Sequence, residues 1–353
     1  MKNILHTFIL SLLLGWVVIP AIAQTGGDHT YSFLNLTHAP RVAALGGNFL
    51  AIYDNDVLLT LTNPSLITKE MSNSLGMSFT DYYSDISYGY AIYSRDLGKL
   101  GAFTGGFQYA SYGSFTYADE TGATAGEFNA NDLAFNLGWG RALDSSFSIG
   151  ANLKLIHSAY ESYTSYGIGV DVAGSYHKPG SGLTVSLVGR NIGTQLKPYV
   201  AEESESLPFE LQLGMSKKLK HMPFRYSILL TNLQQWDLTY NDPNDPDQQY
   251  DPITNEPIEK SEVSQFFDKA LRHVVIGGEF LPFKSLSIRA GYNYQRRQEL
   301  GVNSRMSTVG FSWGVGIKIS KFQFNYARSA YHLSGSPNFI SVSANLSDFS
   351  KNR

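Results

Sequence analysis

From residue 73 to residue 347 apolar and polar side chains trade places at every second position, in runs of about ten residues. Phe147, Ile149, Ala151, Leu153 and Leu155 alternate with Ser148, Gly150, Asn152 and Lys154. Leu286, Ile288, Ala290 and Tyr292 alternate with Ser287, Arg289, Gly291 and Asn293. In "SYGIGVDVAGSYHKPGSGLTVSLVGRNIG" (165–193), Ile168, Val170 and Val172 share one face and Gly167, Gly169 and Asp171 the other. Side chains alternate across a strand, so each run predicts a strand with one greasy face and one small, polar face. The runs place strands at 73–81, 85–94, 99–110, 130–142, 146–157, 164–176, 182–192, 207–218, 223–235, 272–282, 285–296, 305–318, 321–330 and 338–347.

A soluble sandwich turns its greasy faces inward, whereas a membrane barrel turns them to lipid and lines its lumen with the polar row. The connections separate these two readings. With strand one running outward from the periplasm, "RDLG", "DSS", "HKPGSG", "KHMP", "FK" and "SK" follow even strands. The longer "SYGSFTYADETGATAGEF", "SAYESY", "GTQLKPYVAEESES", "RRQELGVNS", "YHLSGSP" and residues 236–271 follow odd ones, and only "YYSD" is short on the outer side. A sandwich has no reason to sort loop length by strand parity. The expected fold is all-β: a transmembrane antiparallel β-barrel of about 14 strands with an N-terminal luminal hatch or plug.

Three spans follow. "MKNILHTFILSLLLGWVVIPAIAQ" has a basic start, an apolar run and an A-x-A site, so 1–23 reads as a signal peptide; the alternative is a retained anchor. No later stretch has the 18 to 20 apolar residues of a spanning helix. Residues 24–72 do not alternate and are too long for a tail, so they are expected to fold into the lumen of a barrel made by 73–349. Here Gly46 and Gly47 suit a tight turn or a close backbone contact, with a ligand contact as the alternative. Asp54 and Asp56 suit hydrogen-bonding a turn, or holding a cation. Asn63 and Pro64 suit a helix start within a short helix near 65–70.

Composition narrows the function classes. The 353 residues carry a net charge of −3 with only 16% charged residues, 13% aromatics (22 Tyr, 21 Phe) and 33 Gly, which fits aromatic girdles around a glycine-tolerant interior. There is no Cys, so disulfides and thiolate metal sites are excluded. The near-neutral charge speaks against nucleic acid. No H-E-x-x-H or phosphate loop occurs, so a non-enzyme with no cofactor or metal is expected.

Two charged stretches remain. "SKKLKHMPFR" sets Lys217, Lys218, Lys220, His221 and Arg225 at one periplasmic turn, either solvated near lipid phosphates or docking a partner. The acidic outer loop 236–271 carries Asp242, Asp245, Asp247, Tyr250 and Asp251, candidates for a partner-binding surface. Its oxygen-rich spacing lacks the glycine and closing glutamate of a calcium-binding EF-hand loop; a solvated loop, a docking surface and a calcium site stay open.

"RVAALGG" with "NDVLLTLTNPSL" resembles the hatch of FadL-like outer-membrane barrels that include PorV of the type IX secretion system of the Bacteroidota. "YADETGATAGEF", "RNIGTQLKPY", "LPFELQLGMSKKLKHMPFRYSI" and "NLQQWDLTY" extend the resemblance over nearly the whole mature chain. It implies a non-enzymatic outer-membrane component that holds a PorZ-like surface protein near PorU and PorV, beside outer-membrane lipid or lipopolysaccharide. The alternative is a FadL-like transporter of hydrophobic small molecules; a soluble exported β-protein is the third reading.

Overall fold

The computed structural model describes residues 29–118, 121–178, 180–239, 261–301, 308–331 and 335–350. The signal-peptide reading of 1–23, residues 24–28, and Asp242, Asp245, Asp247, Tyr250 and Asp251 lie outside the described residues.

Fourteen antiparallel strands form a closed barrel in which each strand pairs with its sequence neighbours and the last pairs with the first. They are β1 Ser74–Asp81, β2 Ser87–Asp96, β3 Ala102–Ala118, β4 Thr124–Ala142, β5 Phe147–Tyr160, β6 Tyr163–Lys178 and β7 Leu183–Lys197. The second half comprises β8 Glu210–Lys218, β9 Phe224–Leu230, β10 Val274–Phe283, β11 Leu286–Asn293, β12 Phe311–Ile319, β13 Phe322–Ser329 and β14 Asn338–Asn345. Closure leaves no strand edge unpaired, as a bilayer demands of any backbone crossing it.

The wall is inside out relative to a water-soluble protein. Lys154, Asp171 and Glu279 are fully buried (0%), while Phe79, Leu187, Ile276, Trp313 and Ile340 are each at least half exposed. Apolar area of this kind costs about 25 cal/mol per Å² in water. Against acyl chains that cost vanishes, and the buried polar row becomes the lumen lining.

The connections amend the expected pattern. One end carries only short turns, at 97–101, 143–146, 180–182, 219–223, 284–285 and 320–321, together with both ends of the barrel sequence. At the other end 198–209, 231–273, 294–310 and 330–337 are long, but the stretch expected as loop 111–129 is mostly strand. There β3 and β4 continue as a ribbon past the bulge at Ser111/Ser114, held by Phe115 stacked on Phe128 at 5.3 Å. Loop 236–271 is likewise not all loop, since it contains helix α2, Glu262–Arg272, whose Ser261 side chain caps Ser264 N–H. Strand β11 stops at Asn293, short of the expected 296, because the Asn293 side chain accepts from Arg296 N–H and starts α3, Tyr294–Leu300.

Residues 30–72 lie against inward-facing wall residues. Helix α1, Pro40–Ala44, begins with proline at its first position and ends at Gly46 and Gly47, both at positive φ (108° and 97°). Short 3-10 turns follow at Val57–Leu61, Pro64–Leu66 and Lys69–Met71. Leu45, Phe49, Leu50, Leu58 and Leu66 form a core with wall residues Tyr90, Ile92, Val188, Leu229 and Val275. The approach is close enough to require glycine. A Cβ at Gly150 would sit 2.3 Å from the Pro64 backbone.

Candidate functional site

Toward the short-turn end, three arginines and three carboxylates meet between the N-terminal segment and the wall. Glu279 on β10 lies directly across from Arg225 on β9 and from Arg289 on β11. Cross-strand register therefore builds a carboxylate between two guanidiniums before the segment is added. Arg41 of α1 completes the cluster with a bidentate contact, Nε to Oε1 at 2.8 Å and Nη2 to Oε2 at 3.0 Å. Its other side donates to Asp54, at 2.6 and 2.9 Å, and to Asp56 at 3.3 Å. Arg225 donates to both Asp54 (3.0 Å) and Glu279 (2.7 Å), and Arg289 reaches Asn325 at 2.9 Å.

Each charge in this cluster is matched, which is the condition under which buried ions are tolerated. Burial works against ionisation of Asp54, but Arg41 and Arg225 outweigh it and hold the carboxyl below its usual range. For Asp56 burial wins over Arg41 and lifts the carboxyl above that range. Below the cluster a cavity of about 610 Å³ opens toward the short-turn end, with Lys218, Lys284, Lys318 and Lys321 in its lining.

A second set of contacts holds the start of the segment. Arg190 donates to Leu34 C=O at 3.0 Å, Asn191 donates to Asn35 at 2.8 Å, and Gln195 donates to Thr30 at 3.2 Å. Lys154 pairs with Asp171 at 2.8 Å and donates to Asn191 at 2.7 Å. Nearer the long-loop end, Tyr112 and Tyr160 donate to Asp132 at 2.6 and 3.0 Å. His38 is buried between Tyr88 and Tyr90 beside Gln108, and burial pushes its pKa down to about 3.

The residues singled out in the sequence divide by role. Gly46 and Gly47 close α1, and the Gly46 carbonyl accepts from Asn293 at 3.2 Å. Asp56 caps the turn at Val57–Leu61, as a turn-bonding residue would, and also meets Arg41. Asp54 bonds guanidiniums instead of a turn. Asn63 accepts from Ser65 N–H at 3.0 Å and donates to Leu50 C=O at 2.6 Å, with Pro64 opening the following turn. The basic turn is split: Lys218, Lys220 and His221 are exposed, while Arg225 is buried in the cluster.

Sequence reasoning did not single out Glu279 as a site residue. Its signal was parity, because in "VVIGGEFLPF" it falls on the same row as Val275 and Gly277. Arg41 offered no signal, since its partners lie 13 and 238 positions away.

A closed, inside-out barrel with its N-terminal segment bonded across the lumen defines a transmembrane β-barrel of the outer-membrane type. The likeness to solved structures agrees. A deltaS2 mutant of the TodX monoaromatic hydrocarbon channel superposes with a TM-score of 0.54 at 12% identity, covering 88% of this chain and 99% of that one. A deltaS2S3 mutant of the same channel gives 0.52 at 12% identity, with 88% and 99% covered. At such identity the likeness shows the fold. No family model matches the sequence, and no curated protein matches it.

Proposed function

We propose that this chain is a stoppered outer-membrane barrel that serves as a scaffold of the PorQ type in type IX secretion. On this reading residues 24–72 are the hatch, and the barrel's long-loop end holds a PorZ-like surface protein beside PorU and PorV. One observation carries it: the segment is locked to the wall by the stretches on which the resemblance rests. Arg190, Asn191 and Gln195 belong to "RNIGTQL", and Ser216 and Arg225 to "SKKLKHMPFR"; all five bond the segment. Among the described residues the lumen at the cluster is filled by fully paired ions and close-packed Leu side chains. That suits a support better than a standing passage.

The fold comparison favours a second reading, passage of hydrophobic small molecules, because the TodX variants it matches are hydrocarbon channels. Fold by itself does not carry function. Gene deletion with complementation separates the two. Loss of cargo attachment and of the surface partner, with hydrocarbon and fatty-acid uptake unchanged, is the expected result; the reverse pattern replaces the scaffold with a transporter. Removing 240–262 is expected to lower partner recovery in detergent pull-downs, and unchanged recovery would discard that loop.

A further inference from the structure

Helix α2 repeats the inside-out logic of the wall. At 3.6 residues per turn Val263, Phe266, Phe267, Ala270 and Leu271 fall on one face, and Ser264, Gln265, Asp268, Lys269 and Arg272 on the other. In a water-soluble protein the apolar face would be covered. Here Val263, Phe266, Phe267 and Leu271 are 66%, 55%, 59% and 43% exposed, and no residue of the helix is buried.

The polar face is the one that packs on the barrel. Asp268 accepts from Tyr294 of α3 at 2.8 Å and pairs with Arg272 at 2.9 Å, while Lys269 meets Asp237 at 2.6 Å. Helix α3 in turn reaches inward: Arg296 lies 4.0 Å over the Tyr331 ring, and its guanidinium borders Gly47 of the N-terminal segment. With Asp268 turned to α3, the apolar face points away from the barrel mouth. Trp236, 54% exposed, widens that face by packing on Phe266 at 5.5 Å. The helix also runs straight into the lipid-facing wall, because β10 starts two residues after Arg272 and presents Ile276 (52% exposed) and Phe280 (44%) outward.

We infer that α2 is a membrane-interface helix whose Val263/Phe266/Phe267/Leu271 face beds in the outer leaflet beside β10. The occupant is lipid because the helix leads within two residues into β10 and shares the polarity of its lipid row, apolar out and polar in. Aromatic and aliphatic side chains with a charged opposite face are what such an interfacial helix needs. The inference rests on the outer-membrane reading of the barrel, not on either proposed function.

The absence of cysteine makes the test direct. Single variants F267C, S264C and I276C, each carrying a nitroxide label, are reconstituted in phosphatidylethanolamine/phosphatidylglycerol vesicles. Expected is high oxygen and low water-soluble nickel-chelate collision at 267, matching 276, with the reverse at 264. Chelate access at 267 equal to that at 264, with 276 still shielded, overturns the inference. A label at 276 that is itself reached by chelate shows instead that the barrel reading has failed. Shielding at 267 that appears only with a second protein, or spin broadening removed by dilution with unlabelled protein, assigns the face to a partner or a second copy and also overturns it.

Discussion

Glu279 receives three guanidiniums at full burial, so its charge decides whether the N-terminal segment stays seated. Glu279→Gln leaves a net positive cluster whose three guanidiniums are largely buried. Breaking a buried pair in this way costs about 3 to 5 kcal/mol. The variant should unfold at clearly lower urea in detergent micelles, with the wall intact by far-UV circular dichroism. His38 gives a pH prediction. Its folded value of about 3 lies below the ordinary 6.5, so an unseated segment binds the extra proton. The stabilisation is complete above pH 6.5 and falls as pH drops toward 3. Hydrogen exchange in residues 38–45 should therefore speed up from pH 7 to pH 5 after correction for intrinsic rates, and His38→Gln should flatten that trend. Asp54, whose pKa is lowered, adds a loss in the same direction only below the usual carboxylate range.

At the scale of elements, period-two alternation placed every strand, because a wall that is lipid on one side and polar on the other writes its geometry into each residue. It failed where strands leave the membrane. The β3–β4 ribbon holds Gly113, Gly122 and Gly126 at positive φ, and its order comes from cross-strand rings such as Phe115 and Phe128, not from alternation. A ribbon beyond the bilayer contributes little to barrel closure. Replacing 113–127 with a two-residue Asn-Gly turn should leave the unheated, folded band on denaturing gels unchanged. Helices α2 and α3 were missed because each is short and bordered by turn residues: an Asx-Pro run precedes one, and Gly301 ends the other.

For the whole molecule, the barrel and its contents have separable jobs. Strand pairing closes the wall through β1 and β14, while the segment supplies ion pairs and a core to the interior. Removing residues 30–72 should give a barrel that still inserts but conducts ions in planar bilayers, whereas the intact chain stays closed. Conductance of the intact chain equal to that of the deletion would contradict a seated hatch. Gly150→Val is the milder version, since the new side chain strikes the Pro64 backbone; it should raise conductance without loss of the folded band.

The chain's own pattern determined the strand number, the lipid-facing row and the presence of an N-terminal stretch that is not strand, because each depends on neighbours two positions apart. Asn63 and Pro64 were readable for the same reason, as a cap bonds within its own turn. Only the tertiary structure decided that Arg41 joins Glu279, that Arg225 leaves the basic turn for the lumen, and that α2 turns its rings away from the barrel. Those outcomes depend on barrel closure and strand register, which bring together groups far apart along the chain and leave no periodic trace in it.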